Sequence, residues 1–172
     1  MNKLFHKTSI GENIFMHTLD DIDLKILNSL RDNCKLSSQH IAEKVGASSA
    51  SCWRRIKAME EAGVITGYEA QVDFGTLGYE LSAFAQITLS RHSKDNVGRF
   101  EEAVRDMPEI LACHSVTGQS DYILQIMVKN IRDYELFLND TLFRLPGVDH
   151  VFSSISLKTV KSGQRKGTGF EL

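Results

Sequence analysis

The spacing of apolar positions along the chain changes period once. From Leu19, the run LDDIDLKILNSLRDN sets Leu19, Ile22, Ile26, Leu27 and Leu30 three and four residues apart, one face of a helix. Asp20, Asp21 and Asp23 fall in its first turn, where the helix dipole favours acids. Residues 36–66, LSSQHIAEKVGASSASCWRRIKAMEEAGVIT, continue the helical period as two short helices. The first turns Ile41, Ala42 and Val45 inward and stops at Gly46, a residue type suited to leave a helix with positive φ. The second opens at Ser48 or Ser49, good N-cap chemistry, and aligns Cys52, Ile56 and Met59 in one stripe. A three-helix unit sharing one core is expected over 19–66. Gly63 ends its last helix, and VITGYEAQVDF, with β-branched and aromatic residues, predicts an extended strand. Gly75, Gly78 and the change of period place a boundary and linker at 67–79.

Beyond the boundary, strands alternate with helices. LSAFAQITLS is a strand whose alternate residues Leu81, Ala83, Ala85, Ile87 and Leu89 are all apolar and expected under the helices, leaving Phe84, Gln86 and Thr88 opposite. KDNVGRFEEAVRDM is a helix with Val97, Phe100, Val104 and Met107 inward, stopped by Pro108. ILACHSVT, a tight turn at Gly118 to Ser120, and DYILQIMV make two more strands. The helix IRDYELFLNDTLFRL ends at Pro146 and Gly147, and VDHVFSSISLKTV is the last strand. The order β-α-β-β-α-β is that of the split βαβ sandwich. The fold class is therefore α+β: an N-terminal winged-type helix-turn-helix three-helix domain at 19–66, then a C-terminal ferredoxin-like βαββαβ sandwich at 80–161. Such a sandwich leaves one sheet face open, and a second copy of the chain is its expected cover. Residues 1–18 show no period and are expected as a flexible arm, with Met16 a candidate start. The basic, glycine-containing tail at 162–172 is expected as a flexible end or a crossing to a neighbouring subunit.

Composition narrows the function classes. The 172 residues are 42% hydrophobic and 24% charged, values of a globular protein with one medium domain or two small ones. The formal net charge of −2 excludes a uniformly basic nucleic-acid binder but not a local basic face. Cys34, Cys52 and Cys113 are far apart with no CxxC pair, so neither a zinc site nor a disulfide framework is indicated, and a reducing cytoplasm is expected. No apolar run approaches the roughly 20 residues of a membrane helix. The N-terminus has no continuous apolar stretch that would mark a secretory signal. His6, His17, His40, His92, His114 and His150 lack metal-ligand spacing, and no GxSxG, P-loop or paired-carboxylate arrangement occurs. Cys113 and His114 are neighbours on a strand and face opposite ways. No catalytic residue, metal or cofactor is expected.

The chemistry that does emerge lies on the third helix. Opposite its apolar stripe it presents Ser48, Ser49, Ala50, Ser51, Arg54, Arg55 and Lys57, with no acid from Ser48 to Ala58. An ordinary amphipathic hairpin with a solvated face gives a similar pattern. The small, hydroxylated N-terminus and the cations behind it also fit the recognition helix of a helix-turn-helix. There the first residues approach base edges, arginine reads guanine and cations neutralise phosphates. Trp53, between the stripe and the basic face, is expected to pack on the first helix.

LDDIDLKILNSLRDN, the helix-turn-helix with its closing EEAGVITGYEAQVD, the turn TGQSDY, and LPGV before the last strand together resemble the leucine-responsive/asparagine regulator (Lrp/AsnC) family of transcription regulators. The resemblance runs from about Leu19 to Lys161. It implies a sandwich that dimerises, joins dimers into octamers or similar rings, and binds small effectors, mostly amino acids. SASCWRRIK is most similar to members tied to cysteine, branched-chain amino acids or proline. Where members often carry proline, Ser49 or Ser51 stands here, so base contacts are expected to differ.

The effector candidate is TGQSD, Thr117, Gly118, Gln119, Ser120 and Asp121. A free amino acid needs N–H donors for its carboxylate and an acceptor for its ammonium, which a glycine turn followed by an aspartate supplies. The resemblance implies that this turn lines a pocket between dimers, walled by His114, Val116, Ser153, Ser154 and Ile155. Turn chemistry alone also accounts for Gly118 and Asp121. The expected function is sequence-specific binding of double-stranded DNA modulated by an amino acid, with no membrane partner. Two rivals are an amino-acid-sensing module that regulates a protein partner, which leaves the basic helix unexplained, and an architectural DNA-binding protein without effector.

Overall fold

The computed structural model describes residues 19–90 and 94–160. The arm expected at 1–18 and the tail at 162–172 lie outside the described residues. The chain divides into two compact units, meeting in sequence between Ala70 and Gln71.

The first unit holds α1 (Asp21–Asp32), α2 (Ser38–Val45) and α3 (Ser49–Glu61). Each begins on a side-chain cap, from Asp20, Ser37 and Ser48 in turn, which satisfies backbone N–H groups that the first helical turn leaves unpaired. Gly46, at φ 72°, ends α2 in the left-handed region, and its N–H donates to the Ala42 carbonyl. The predicted stripes meet in one core: Ile26, Ile41, Cys52 and Met59 are fully buried, with Ala42 and Val45 beside them. Burial of each large side chain contributes about 1.5–3 kcal/mol. The strand expected from VITGYEAQVDF is not formed; residues 66–73 carry no ladder. Propensity makes a strand only where another backbone supplies hydrogen bonds, and none of the described residues does so here. Tyr68 instead donates its hydroxyl to Glu60 at 2.8 Å.

The second unit holds β1 (Leu81–Leu89), α4 (Lys94–Arg105), β2 (Ile110–Ser115), β3 (Tyr122–Val128), α5 (Ile131–Asp140) and β4 (Val148–Ile155). The sheet order β2-β3-β1-β4, antiparallel throughout, is the ferredoxin-like sandwich that the element order predicts. Ala83, Ala85 and Ile87 are fully buried and Leu89 nearly so, as the alternation requires. They pack with Leu124, Ile126, Phe100, Tyr134 and Phe137 between sheet and helices. Val97 departs from its expected inward position and is exposed. The helical period carries Phe100 and Val104 to the core and leaves Val97 at the margin. On the other sheet face Phe84 and Phe152 remain exposed, Phe152 by 66%.

Candidate functional site

The first candidate surface is the outer side of α3. Cys52 and Met59 fix its inner side, so residues near half a turn away point outward: Ala50, Trp53, Arg54 and Lys57 are all exposed. Burial also pushes the Cys52 thiol pKa up, with Arg55 opposing. Ser48 caps the helix, its Oγ accepting the Ser51 N–H at 3.2 Å, so this hydroxyl is already engaged as an acceptor. Ser49 is exposed in the first turn and Ser51 half-buried. Lys57 Nζ lies 3.6 Å from Glu60 Oε2, a contact typical of a solvated helix face. Arg54 has no ion pair among the described residues.

Arg55 does not join this surface. Its Nη1 lies 2.8 Å from both Asp20 Oδ2 and Asp23 Oδ1, and its side chain is only 27% exposed. The two aspartates also form a reciprocal capping box at the start of α1. Asp20 Oδ1 accepts the Asp23 N–H at 2.9 Å, and Asp23 Oδ2 accepts the Asp20 N–H at 3.1 Å. The backbone N–H of Asp23, helped by the Arg55 guanidinium, holds the Asp20 carboxyl below its ordinary pKa. Those two carboxylates raise the pKa of Arg55 in turn. Asp23 is the one buried charged residue among those described, and Arg55 is the cation that makes its burial tolerable. The sequence carried this signal. Arg55 stands three residues after Cys52 and four before Met59, on the inward flank of the helix.

Trp53 corrects a second expectation: it does not pack on α1 but stands 62% exposed beside Arg54 and Lys57.

In the sandwich, Thr117–Ser120 joins β2 to β3. Gly118 takes φ 131°, open to glycine and strained for other residues. Asp121 closes this turn, its carbonyl accepting the Val116 N–H, and ties it to β1 in two ways: its N–H donates to the Ile87 carbonyl, and its Oδ2 accepts the Leu89 N–H at 2.8 Å. Leu89 N–H sits where the β1–β4 register shifts, so the carboxylate satisfies a donor at an irregular point of the ladder. Its Oδ1 has no partner among the described residues. Thr117, Gly118 and Gln119 are exposed, and Val116 and Ser120 are half-buried.

Of the expected walls, Val116 stands at the turn, bonded to Asp121, whereas Ser153 and Ile155 do not gather around it within one chain. His114 stands opposite Ile123, on the open sheet face. Ser154 pairs with Phe84 on that same face, whereas Ser153 pairs with Ala85 on the helix side. There Ser153 Oγ accepts the buried Tyr134 hydroxyl at 2.7 Å, a structural bond. Ile155 pairs with Ala83, four residues along β1 from Ile87, roughly 13 Å at strand rise. Two cavities of the sandwich are lined by none of the turn residues Thr117 to Asp121. One, of about 440 Å³, is lined by Glu109, Met127 and Leu136 among others; the second, of about 340 Å³, includes Glu101, Cys113 and Tyr122. Among the described residues no group of acids, histidines and cysteines could hold a metal, and no helix is long and apolar enough to cross a membrane.

Comparison with known proteins places both units. Residues 19–66 match the winged helix-turn-helix DNA-binding family, and residues 82–165 match the Lrp/AsnC ligand binding domain. The chain is 40% identical over 145 residues to the Bkd operon transcriptional regulator of Pseudomonas aeruginosa, covering 84% of this chain and 95% of that protein. It is 39% identical over 143 residues to the leucine-responsive regulatory protein of Haemophilus influenzae, covering 83% and 86%. A crystal structure of a transcriptional regulator from Neisseria meningitidis in complex with L-Met superposes with a TM-score of 0.81 at 36% identity, covering 84% of this chain and 94% of that one. With a helix-turn-helix whose third helix is open to solvent and a ferredoxin-like sandwich behind it in sequence, the chain belongs to the Lrp/AsnC family of transcriptional regulators, which are DNA-binding proteins with a ligand-binding domain and not enzymes.

Proposed function

We propose that this regulator reads double-stranded DNA with the N-terminal half of α3 and that a free amino acid, held at the Thr117–Asp121 turn, changes its affinity for DNA. The observation that carries the first part is the outer side of α3, where Arg54 stands exposed, without an ion pair among the described residues, beside Ala50 and Lys57. Ser48, Ser49, Ala50 and Ser51 approach the bases, and Arg54 and Lys57 serve guanine or phosphate. Arg55 acts through position, holding α3 against the start of α1.

For the effector, Asp121 Oδ1, which has no partner among the described residues, accepts the ammonium, and backbone N–H groups of Gly118, Gln119 and Ser120 serve the carboxylate. The L-Met complex of the Neisseria regulator supports an amino acid as the ligand class. The open sheet face with Phe84 and Phe152 is covered by a second copy, and dimers assemble into an octamer or similar ring. A neighbouring copy then brings the rest of the pocket to the turn. The protein acts in the cytoplasm. Ligand binding shifts DNA affinity by favouring one arrangement of the oligomer, a coupling of ~1–3 kcal/mol.

The test is fluorescence anisotropy of the full chain on a duplex that it selects from a randomised library, across a salt series, with and without each amino acid. Expected are an affinity that falls linearly in log–log form with salt and a response to at least one amino acid. Absence of salt-dependent binding overturns the DNA assignment. Binding that ignores all twenty amino acids overturns the effector assignment.

A further inference from the structure

We infer that Trp53 is a sequence-reading residue of α3, its indole making an apolar contact with the C5-methyl of a thymine in the major groove. This rests on the DNA-binding reading of α3 given above. The indole is 62% exposed and belongs to neither hydrophobic core, so among the described residues no core uses the largest apolar side chain the protein has. It shares the outer side of α3 with Ala50, Arg54 and Lys57. A helical side chain leans toward the N-terminus, over the turn before its own Cα. For Trp53 that turn carries Ser49 and Ala50, both small and both exposed, so nothing there holds the ring away from a surface pressed against the helix.

The neighbouring cations decide which part of the duplex the ring meets. Arg54 and Lys57 are the groups suited to phosphate, whereas an indole has no charge to offer it. The apolar landmark of the major groove is the thymine methyl, which protrudes beside the O4 acceptor and is absent from the other three bases. An aromatic ring over that methyl removes apolar surface of both partners from water. The contact reads thymine against cytosine and, in a test duplex, against uracil.

Trp53 is the single tryptophan of the chain, so its emission reports its own surroundings. The experiment uses the full chain and a duplex selected from a randomised library. On binding, the emission moves to shorter wavelength and acrylamide quenching falls. Thymines of the half-site are then replaced by uracil one at a time, which deletes the methyl alone. At one position this weakens binding about fourfold per half-site, the worth of one buried methyl. Trp53→Ala weakens the thymine duplex at least as much, leaves the thermal midpoint unchanged, and no longer distinguishes thymine from uracil. The wild-type measurements stand whether or not the variant folds. Duplex binding with unaltered quenching, or with no uracil-sensitive position, overturns this inference and leaves the DNA-binding reading intact. Failure of the chain to bind any duplex overturns both.

Discussion

Arg55 of α3 reaches Asp23 of α1 at 2.8 Å, pairing the charged residue buried in the helical unit with a guanidinium that the helix pattern placed among the outward cations. The same nitrogen binds Asp20, the N-cap of α1, so one side chain fixes the recognition helix to the entrance of the domain. Removing Arg55 leaves Asp23 a buried charge without its cation, and removing Asp23 leaves the half-buried guanidinium with Asp20 alone. Asp23→Ala and Arg55→Ala should each cost the helical unit about 1–3 kcal/mol, read by urea denaturation followed through helix content. A midpoint unchanged in both variants would contradict the structural role given to Arg55.

Arg54 separates from its neighbour in the opposite sense. Arg54→Ala should leave the unfolding midpoint where it was while weakening DNA binding. If it contacts a phosphate, the log–log salt slope falls by about one unit. If it reads guanine, the loss is about 1–3 kcal/mol at one base position. A variant with wild-type affinity and slope removes Arg54 from the interface.

Acid should weaken the helical unit through Asp20. Its folded pKa is lowered, first by the Asp23 backbone N–H and then by Arg55. A depressed carboxylate contributes stability that is fully present above its unfolded pKa and is lost as pH falls through the folded value. The unfolding midpoint should therefore hold from neutrality to about pH 4 and drop below it. Asp20→Asn removes this titration, so its profile should be flatter over the same acid range. Parallel profiles for the two proteins would show that other groups carry the acid sensitivity.

Asp121 has two candidate duties that a pair of substitutions divides. Asparagine keeps an oxygen for the Leu89 N–H and loses the charge; alanine loses both. Asp121→Asn should retain most of the stability and forfeit the amino-acid response of DNA binding. Asp121→Ala should in addition lose about 1–3 kcal/mol, because the Leu89 N–H is left without its acceptor. A normal amino-acid response in the asparagine variant would confine Asp121 to shaping the turn.

Ser153 should behave as a structural residue. Its hydroxyl accepts the bond of Tyr134, whose own pKa burial pushes up. Ser153→Ala strands that buried hydroxyl at a cost of about 1–2 kcal/mol. Tyr134→Phe combined with Ser153→Ala should recover part of it, since two apolar surfaces then meet. A ligand response altered by Ser153→Ala at unchanged stability would return this serine to the effector site.

Most of the architecture was legible because period follows burial. Five alternating apolar residues of β1 identified its covered face, and the inward stripes of α2 and α3 met as their spacing required. What escaped the pattern depended on partners far apart in sequence. Arg55 and Asp23 are separated by 32 positions, and although the helical period sets Arg55 on the inward flank of α3, it does not name the carboxylate it meets. Trp53, between the stripe and the basic face, was expected to pack on the first helix, although its helical angle sets it nearer Lys57 than Met59. VITGYEAQVDF has strand propensity but no ladder partner among the described residues. On β4, residues Ser153 and Ser154 looked equivalent as small wall residues, yet alternation sends them to opposite faces.

Cys52, sealed under α3 with its thiol pKa raised by burial, turns the helical unit into its own chemical clock. The thiolate is the species that alkylating reagents attack, so this sulfur stays inert until the three helices part, whereas Cys34 and Cys113 lie exposed. With those two replaced by serine, the rate at which a maleimide marks Cys52 measures how often the DNA-reading unit opens, independently of what the sandwich is doing.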